Sequence, residues 1–444
     1  MIFTQFVDDA LGCASYLVGD PRTGQAVVVD PAFAIEQYVD EARRHDVRIV
    51  RAIETHTHAD HLSGHGRLAL EHGVPVSIHP AAEAEYPNDP LEDGAEIALG
   101  DIVLRCIHTP GHRPEHCCLA VSDRTRSPDP WIVLTGDSLF VGDAARPDLA
   151  VEAREGAEGL FHSLRRLVEL GDGVEVYPGH VAGSLCGKAM SSKASTTIGF
   201  ERRFNPALAY DDVAVFVAES AGVSTPRPPN MERIVELNRS PFVGAQEMPS
   251  ELAATPDGMQ VLDVRPVDAF AAGHVAGALS VPVSGTRFST KAAFVVEAGP
   301  VVVSAEDEDE VAHAVRGLHA VGHLEIEGYI LGGGPKSLDL VSIEQLDALL
   351  EAGAELIDVR EKDERDTGYI AGSRNIPYRL LTLGEADLPR DRPIVTICET
   401  GPRAAIAASI LAAHGFDAHP VWNGGIDAWV AAGKPTVEFR RCGG

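Results

Sequence analysis

The chain has 444 residues, of which 45% are hydrophobic and 23% charged, and its formal net charge is −29 at pH 7. This composition suits about two to four packed domains and excludes a disordered chain. The negative charge argues against nucleic acid and anionic membrane surfaces as partners. No stretch approaches the run of about 20 apolar residues that a membrane span requires. The N-terminus lacks a basic region followed by an apolar run, so we expect no secretory signal and a cytoplasmic location.

Short β-like runs alternate with helix-like segments over the first 240 residues. The predicted strands cover residues 25–29, 49–54, 75–79, 102–108, 131–135 and 174–177, and the predicted helices cover 35–45, 64–72 and 156–170. Each predicted strand leads into a loop that carries His or Asp. Because loops at strand ends assemble the sites of α/β folds, we expect a functional site there.

The remainder of the chain contains a duplication. After a proline-punctuated stretch at 224–230, the segment 261–282 (VLDVRPVDAFAAGHVAGALSVP) matches 356–377 (LIDVREKDERDTGYIAGSRNIP). Asp263 corresponds to Asp358 and Pro282 to Pro377, a constant offset of 95 residues. A repeat of this length indicates duplicated domains. We therefore predict an α/β protein with boundaries at 1–240, including the linker, then 241–337 and 338–444.

Four motifs in the first region carry potential metal ligands. They are THTHADH (55–61), TPGH (109–112), TGD (135–137) and YPGH (177–180). Each follows a predicted strand, and imidazole and carboxylate groups suit Zn, Fe, Mn or Ni. A single histidine is usually an ordinary surface or core residue, but four such motifs together predict a metal centre.

These motifs resemble those of the metallo-β-lactamase superfamily, whose fold is an αβ/βα sandwich of two mixed sheets. Its binuclear hydrolases, such as glyoxalase II, imply one metal at His56, His58 and His112. They imply a second metal at Asp60, His61 and His180, with Asp137 bridging the two. Every one of these positions is filled, so the residues alone permit a binuclear Zn hydrolase.

The persulfide dioxygenases of the same superfamily resemble the chain more closely. This resemblance implies one Fe(II) per chain, held by His56, His112 and Asp137, with coordination positions left open. The remaining donors would then orient ligands and substrate around the iron, and they are His58, Asp60, His61 and His180.

Two stretches favour the dioxygenase branch. TGDSLFVGDAARPDL (135–149) is similar to a family motif, with Ala145 where the family has Gly, and TTIGFERRFNP (196–206) is similar to another. Arg146 and Asp148 in the first stretch would form either a structural ion pair or part of the substrate pocket. Cys186 would either line that pocket or be a small buried hydrophobe.

A second candidate site is the stretch CETGPR (398–403), between a β-like run and a helix-like segment. Backbone N–H groups at such a strand–loop–helix junction stabilise a thiolate and an incoming anion. The stretch resembles the active loop of the rhodanese sulfurtransferases, which implies that Cys398 carries a persulfide and that Arg403 adds positive charge. The repeated motifs and NGGIDAW (423–429) resemble the same family, which implies two rhodanese-like α/β domains.

The first of the two repeats lacks the reactive residues. Its alignment places Ala305 opposite Cys398 and Glu310 opposite Arg403, in an acidic stretch at 306–310. With neither a nucleophile nor a cation, this copy is expected to be catalytically inactive.

Together the two resemblances imply a bifunctional enzyme. A low-molecular-weight thiol persulfide would be oxidised by O2 to sulfite, and the rhodanese would transfer sulfane sulfur to sulfite to give thiosulfate. The alternatives are a binuclear Zn thioester hydrolase with an appended rhodanese, and a non-enzymatic role in which the rhodanese copies act as a regulatory binding module. We expect thiol persulfide, O2 and sulfite as small-molecule partners, no nucleic acid or membrane partner, and a homo-oligomer.

Overall fold

The computed structural model describes residues 1–148, 152–181, 191, 193–220, 227–381 and 387–438. The chain divides into two compact units, Met1–Gln246 with His319–Gly322, and Glu247–Leu318 with His323–Gly444. Within the described residues, every helix is too short or too polar to cross a membrane.

The first unit contains two six-stranded sheets, each with its strands in chain order. The strands of the first sheet are β1 (Ile2–Asp8), β2 (Cys13–Asp20), β3 (Gln25–Val29), β4 (Arg48–Ile53), β5 (Val76–Ile78) and β6 (Asp89–Pro90). Those of the second are β7 (Glu96–Ala98), β8 (Ile102–His108), β9 (Cys117–Asp123), β10 (Ile132–Gly136), β11 (Glu175–Pro178) and β12 (Thr196–Thr197). The helices are α1 (Glu36–Arg44), α2 (His65–His72), α3 (Ala153–Val168), α4 (Ile198–Phe204), α5 (Val213–Ser220) and α6 (Met231–Arg239).

Alternating strand residues build the layers of this unit. Val18 and Leu119 belong to one apolar core whose members come from both sheets. Leu17, the neighbour of Val18, belongs instead to the core that contains Leu68 of α2. The second sheet shares another core with α3. Because successive strand residues face opposite sides, helices cover the outer face of each sheet, and the predicted αβ/βα sandwich is confirmed.

The predicted strands of this unit are confirmed, with ends that differ by at most one residue. Strands β1, β2, β6, β7 and β12, however, were not predicted. Every residue of β2 is buried, so it shows no alternation of apolar and polar residues, and its interior Ser and Gly interrupt a continuous apolar run.

The second unit contains two four-stranded parallel sheets with equivalent connectivity. One consists of β13 (Gln260–Asp263), β14 (Leu279–Ser280), β15 (Val301–Ala305) and β16 (Ile326–Leu331), in the order β14-β13-β15-β16. The other consists of β17 (Glu355–Asp358), β18 (Arg374–Asn375), β19 (Ile394–Ile397) and β20 (Ala418–Pro420), in the order β18-β17-β19-β20. The helices are α7 (Val267–Ala272), α8 (Phe288–Val295), α9 (Glu308–Ala320), α10 (Ile343–Glu351), α11 (Lys362–Asp366), α12 (Pro402–Ala413) and α13 (Ile426–Ala431). The matching strand orders support the duplication, and we propose 241–337 and 338–444 as its two domains.

The repeated Asp-Val-Arg motif forms a buried ion pair at the end of the central strand of each sheet. Arg360 donates to both carboxylate oxygens of Asp358, at 3.0 and 2.8 Å, and also to the carbonyl oxygen of Gly368 at 2.7 Å. Arg265 makes the equivalent contacts with Asp263 and Gly273 in the first copy. The motif therefore ties the strand end to the loop that follows the next helix.

Replacing Arg360 with Met should destabilise the second unit strongly, because it leaves the fully buried Asp358 carboxylate without its charged partner. The expected loss is about 3–5 kcal/mol in the free energy of unfolding. Urea unfolding followed by tryptophan fluorescence in a Trp131→Phe background measures it, since Trp422 and Trp429 then report on this unit. Lys362→Met removes an exposed pair with Asp366 and is the control, with an expected change of about 1 kcal/mol or less. An Arg360→Met chain that unfolds at the wild-type urea concentration would contradict the structural role of the motif.

Candidate metal centre and cysteine loop

The predicted metal motifs meet at one edge of the first unit. Strand β4 leads to His56, β8 to His112, β10 to Asp137 and β11 to His180. Within each sheet β3 pairs with β4 and β10 with β11 in parallel, so the carboxyl ends of these neighbours lie at the same edge. The fold thereby brings together side chains from motifs that are separated by more than a hundred residues.

Three buried donor atoms converge at this edge. The Nε2 atoms of His56 and His112 lie 4.0 and 3.5 Å from Oδ2 of Asp137. The three residues can offer one ligand atom each within 4.8 Å of one another. Among the described residues, Asp137 Oδ2 has no hydrogen-bond partner although it is buried. An unpaired buried carboxylate oxygen facing two imidazole nitrogens is the arrangement that a bound cation satisfies.

Hydrogen bonds set which nitrogen of each imidazole faces this cluster. The Thr55 hydroxyl donates to Asp30 Oδ2 at 2.8 Å and therefore accepts from Nδ1 of His56 at 2.9 Å. The backbone carbonyl of Arg146 accepts from Nδ1 of His112 at 3.1 Å. Burial lowers the pKa of both histidines, so they are neutral at pH 7. Each Nε2 then presents a lone pair toward Asp137, and the residues fit a metal held by two histidines and one carboxylate.

The other oxygen of Asp137 belongs to a chain of hydrogen bonds. Nδ1 of His180 lies 2.7 Å from Asp137 Oδ1, and Nε2 of His180 lies 2.7 Å from Asp60 Oδ2. Asp60 Oδ1 lies 3.0 Å from Nδ1 of His61. Burial raises the pKa of Asp137, but the charge and hydrogen bond of His180 outweigh it, and the net pKa is well below the ordinary value. Both nitrogens of His180 are thus engaged with carboxylates.

His58 lies beside two further carboxylates, those of Asp30 and Glu54. Its Nε2 is 3.3 Å from Asp30 Oδ1 and 3.2 Å from Glu54 Oε2. Burial lowers the pKa of His58, yet these carboxylates raise it to about 10. His58, Asp60 and His61 also place one donor atom each within 4.8 Å of one another. The spacing therefore admits the binuclear alternative, provided that His180 leaves at least one of its two carboxylates.

Several buried residues at this edge were missed in the sequence. Nε2 of His116 accepts from the backbone N–H of Asp137 at 2.9 Å, and its position four residues after His112 was a usable signal. Asp30 directly follows β3 in a left-handed conformation, with φ of 50°. Asn238 donates to the carbonyl oxygens of His58 and His61 at 3.0 and 2.8 Å from α6. That contact spans almost 180 residues, and no local pattern indicates it.

The two stretches that resemble persulfide dioxygenases lie together. Arg146 donates to both oxygens of Asp148, at 2.6 and 2.7 Å, so these residues are paired with each other. Oε2 of the buried Glu201 accepts from the backbone N–H of Gly142 at 2.9 Å, and Asn205 donates to the carbonyl oxygen of Asp143 at 2.9 Å. The second stretch thereby holds the loop whose Arg146 carbonyl orients His112. Cys186 lies outside the described residues.

Cys398 lies in a tight loop between β19 and α12. The backbone N–H of Gly401 donates to its sulfur at 3.1 Å, and the Cys398 carbonyl accepts from Ile426 at 2.9 Å. Gly401 has φ of 119°, which only glycine adopts easily. A Cβ at Gly425 would lie 2.4 Å from the Cys398 carbonyl oxygen, which explains the second glycine of the NGGIDAW motif.

Arg403 is paired with Glu364, which lies outside the CETGPR motif and is not indicated by it. Its Nη1 and Nη2 atoms lie 2.6 and 2.7 Å from the two oxygens of Glu364. Nη2 also lies 3.6 Å from Oε2 of Glu399. The guanidinium therefore orders the loop, while much of its charge is balanced by carboxylates.

In the first repeat, the side chain of Glu310 occupies the corresponding loop. Ala305 ends β15 as Cys398 follows β19, and Oε2 of Glu310 accepts from the backbone N–H of Glu306 at 2.8 Å. In this repeat a carboxylate thus accepts from a backbone N–H of the loop itself, at the position that corresponds to Glu399, which supports an inactive first copy.

Comparison with known proteins agrees with this architecture. The metallo-beta-lactamase superfamily model matches residues 8–180, and the rhodanese-like domain model matches 342–432. Persulfide dioxygenase ETHE1, mitochondrial, of Bos taurus is 28% identical over 241 residues, which cover 53% of this chain and 86% of that protein. The probable polyketide biosynthesis zinc-dependent hydrolase BaeB of Bacillus velezensis is 29% identical over 192 residues, covering 42% of this chain and 80% of that protein.

A solved structure, a metallo-beta-lactamase from Staphylococcus aureus, superposes with a TM-score of 0.69 at 27% identity. The superposition covers 74% of this chain and 99% of that one. The chain therefore carries a metallo-beta-lactamase domain in its N-terminal region and a rhodanese-like domain at its C-terminal end. The predicted fold class is confirmed for these two parts, and a second rhodanese-like copy is supported by its strand order.

Replacing His112 with Gln should abolish metal retention, because it removes one of the three converging donor atoms. His58→Gln should retain the metal, since His58 faces Asp30 and Glu54. Elemental analysis after dialysis, with His72→Gln on the exposed surface of α2 as the control, measures metal per chain. Full occupancy in His112→Gln, or loss in His58→Gln, would contradict the assignment of donors.

Replacing Ala305 with Cys should not create a second sulfur-transfer site, because the Glu310 carboxylate occupies the loop N–H. The substitution is made in a Cys398→Ser background, and thiocyanate formation from thiosulfate and cyanide is measured. Activity above that of the Cys398→Ser parent would show that the first loop accepts sulfur after all.

Proposed function

We propose that this protein oxidises low-molecular-weight thiol persulfides with O2 to sulfite at a single Fe(II), and transfers sulfane sulfur to sulfite at Cys398. The observation that carries the proposal is the cluster of His56, His112 and Asp137, with one buried carboxylate oxygen unpaired among the described residues. The same chain carries a cysteine loop that suits sulfur transfer. The similarity to a protein named persulfide dioxygenase supports the oxidation step, and the rhodanese-like match at 342–432 supports the transfer step.

Two imidazoles and one carboxylate are the donor set of mononuclear non-haem Fe(II) oxygenases. When bound, the iron would supply open coordination positions at which persulfide and O2 meet. His56, His112 and Asp137 would hold it, while Thr55 and the Arg146 carbonyl fix the two imidazoles. The proposed reaction is balanced as R-S-S⁻ + O2 + H2O → R-S⁻ + SO3²⁻ + 2H⁺.

The chain's own hydrogen bonds prepare the oxidation site. His180, held between Asp137 and Asp60, orients the carboxylate so that Oδ2 faces the imidazoles. His116 holds the backbone of Asp137, and Asn238 holds the loop of His58 and His61. We propose that His58, Asp60, His61 and His180 shape the space beside the metal, and that Arg146 and Asp148 help to close it.

Sulfur transfer at Cys398 would proceed in two balanced steps. A persulfide gives up its outer sulfur to the Cys398 thiolate, so the S–S bond of the donor breaks and R-S⁻ leaves. The sulfur of sulfite then attacks the outer sulfur of Cys398-S-S⁻, thiosulfate leaves, and the electron pair of the broken bond returns to the Cys398 sulfur. The Gly401 N–H, which already donates to this sulfur, stabilises the thiolate.

The second candidate function is a binuclear Zn thioester hydrolase with an appended rhodanese. The cluster of His58, Asp60 and His61 and the similarity to a zinc-dependent hydrolase favour it. Purified protein with two Zn per chain that hydrolyses thioesters and consumes no O2 with any persulfide would establish this alternative in place of the dioxygenase.

The Cys398→Ser variant tests the bifunctional proposal. Oxygen uptake with a thiol persulfide should stay at the wild-type rate, because Cys398 belongs to the second unit and has no part in oxidation. The product should change from thiosulfate to sulfite, since sulfur is no longer transferred. An oxygen electrode combined with chromatographic separation of the two anions measures both. Undiminished enzymatic thiosulfate formation by the variant would overturn the role of Cys398.

A further inference from the structure

A backbone contact from the sequence of the first repeat holds the metal-binding loop. Leu62, which directly follows His61, is buried, and its backbone N–H donates to the carbonyl oxygen of Ala320 at 2.7 Å. Water does not reach a buried N–H, so without this acceptor the group would be unsatisfied. Ala320 is the last residue of α9. The loop therefore depends on a group that lies far from it in the sequence.

Ala320 belongs to a short turn, His319–Gly322, which we call the α9 turn. The turn lies within the sequence of the first repeat, yet it belongs to the first unit. Gly322 has φ of 78°, a conformation that glycine adopts easily. A Cβ on this residue would lie 3.3 Å from side-chain atoms of Ile234 and Leu237 in α6. The turn is therefore packed tightly against that helix.

Helix α6 joins the α9 turn to the metal-binding loop by a second route. Just before the helix begins, the side chain of Asn230 donates to the carbonyl oxygen of Val321 at 2.5 Å. Near the end of the helix, Asn238 donates to the carbonyl oxygen of His61 at 2.8 Å and accepts from the backbone N–H of Ser63 at 2.9 Å. One helix thus binds the turn at its first end and the loop at its other end.

His319 anchors the α9 turn on another side. Its ring meets the ring of Phe33 edge-on, with the centroids 6.1 Å apart. Burial and the charge of Arg67 lower the pKa of His319 to about 4, so the ring is neutral at pH 7. Ala32, the neighbour of Phe33, forms a β-bridge with Ser63. The ring contact therefore fixes the turn against the same strand-end loop that pairs with the metal-binding loop.

The loop that is held in this way controls a carboxylate of the metal cluster. Nδ1 of His61 lies 3.0 Å from Oδ1 of Asp60. The other oxygen of Asp60 lies 2.7 Å from Nε2 of His180, whose Nδ1 lies 2.7 Å from Oδ1 of Asp137. A shift of Leu62 would move His61 and Asp60 with it. The orientation of the Asp137 carboxylate therefore depends on a chain of contacts that begins at the α9 turn.

We propose that the α9 turn positions the metal centre by fixing the loop that carries Asp60 and His61. His319 is then a positioning residue, which acts on the metal through this loop. The repeat that lacks a nucleophile thereby supplies a part of the N-terminal site. The proposal rests on the proposed metal centre, and it does not depend on which reaction occurs there.

The variant His319→Ala tests the positioning role through metal binding itself. Its affinity for Fe(II), measured anaerobically by competition with a chromophoric chelator, should be about tenfold weaker, an effect typical of contacts that orient metal ligands. The absorption bands of the Co(II)-loaded chain, which report coordination geometry, should change, and amide hydrogen exchange in residues 58–64 should be faster. His319→Phe keeps an aromatic ring against Phe33 and should restore all three properties.

Matched variants make the outcome decisive. His313→Ala removes the same type of residue from an exposed position of α9 and should keep the wild-type affinity and spectrum. Asn230→Ala removes the hydrogen bond to Val321 and should also weaken Fe(II) binding, and it decides the question if His319→Ala does not fold.

Wild-type Fe(II) affinity and an unchanged Co(II) spectrum in both His319→Ala and Asn230→Ala would overturn the proposal. A loss of equal size in His313→Ala would overturn it as well. If the wild-type chain itself binds no metal, the proposed function fails instead, and that result is seen before any variant is compared.

Discussion

The N-terminal site depends on the two oxygens of the Asp137 carboxylate having different partners. One oxygen is held by His180, while the other lies buried, facing the Nε2 atoms of His56 and His112. An unsatisfied buried acceptor costs about 1–3 kcal/mol, and more when it is charged. The surrounding hydrogen bonds keep the atom in that position, so the fold maintains an unfavourable arrangement that a cation would relieve. A metal at this point would therefore stabilise the fold, and its reactivity would depend on the same geometry.

The metal motifs could be predicted because each lies where a strand ends, and parallel strands bring their carboxyl ends to one edge. The supporting contacts could not be predicted to the same extent. Asn238 contacts the loop of His58 and His61 from a helix almost 180 residues further along the chain. Glu364, the partner of Arg403, lies in α11, outside the cysteine loop. Such contacts arise from tertiary packing and leave no periodic trace. Asp30, by contrast, directly follows β3, and His116 lies four residues after His112, so both could have been included.

The two repeats of the second unit show how one fold can be used in different ways. Both keep the buried Asp-Arg pair that ties the central strand to a loop, so both retain the architecture. At the strand end, where chemistry would occur, one copy has Cys398 under the Gly401 N–H, and the other fills its loop with the Glu310 carboxylate. The buried ion pair thus maintains the fold in both copies, while the residues at the strand end determine whether a copy can react.

The proposed function requires that one metal ion binds per chain and that His180 keeps its hydrogen bonds to Asp137 and Asp60. Anaerobic titration of the metal-free protein with Fe(II), with the heat measured by isothermal titration calorimetry, tests this requirement. We expect saturation at one Fe(II) per chain and no further heat on addition of a second equivalent. Two tight equivalents per chain would contradict it, because the second ion would have to take His180 away from its carboxylates.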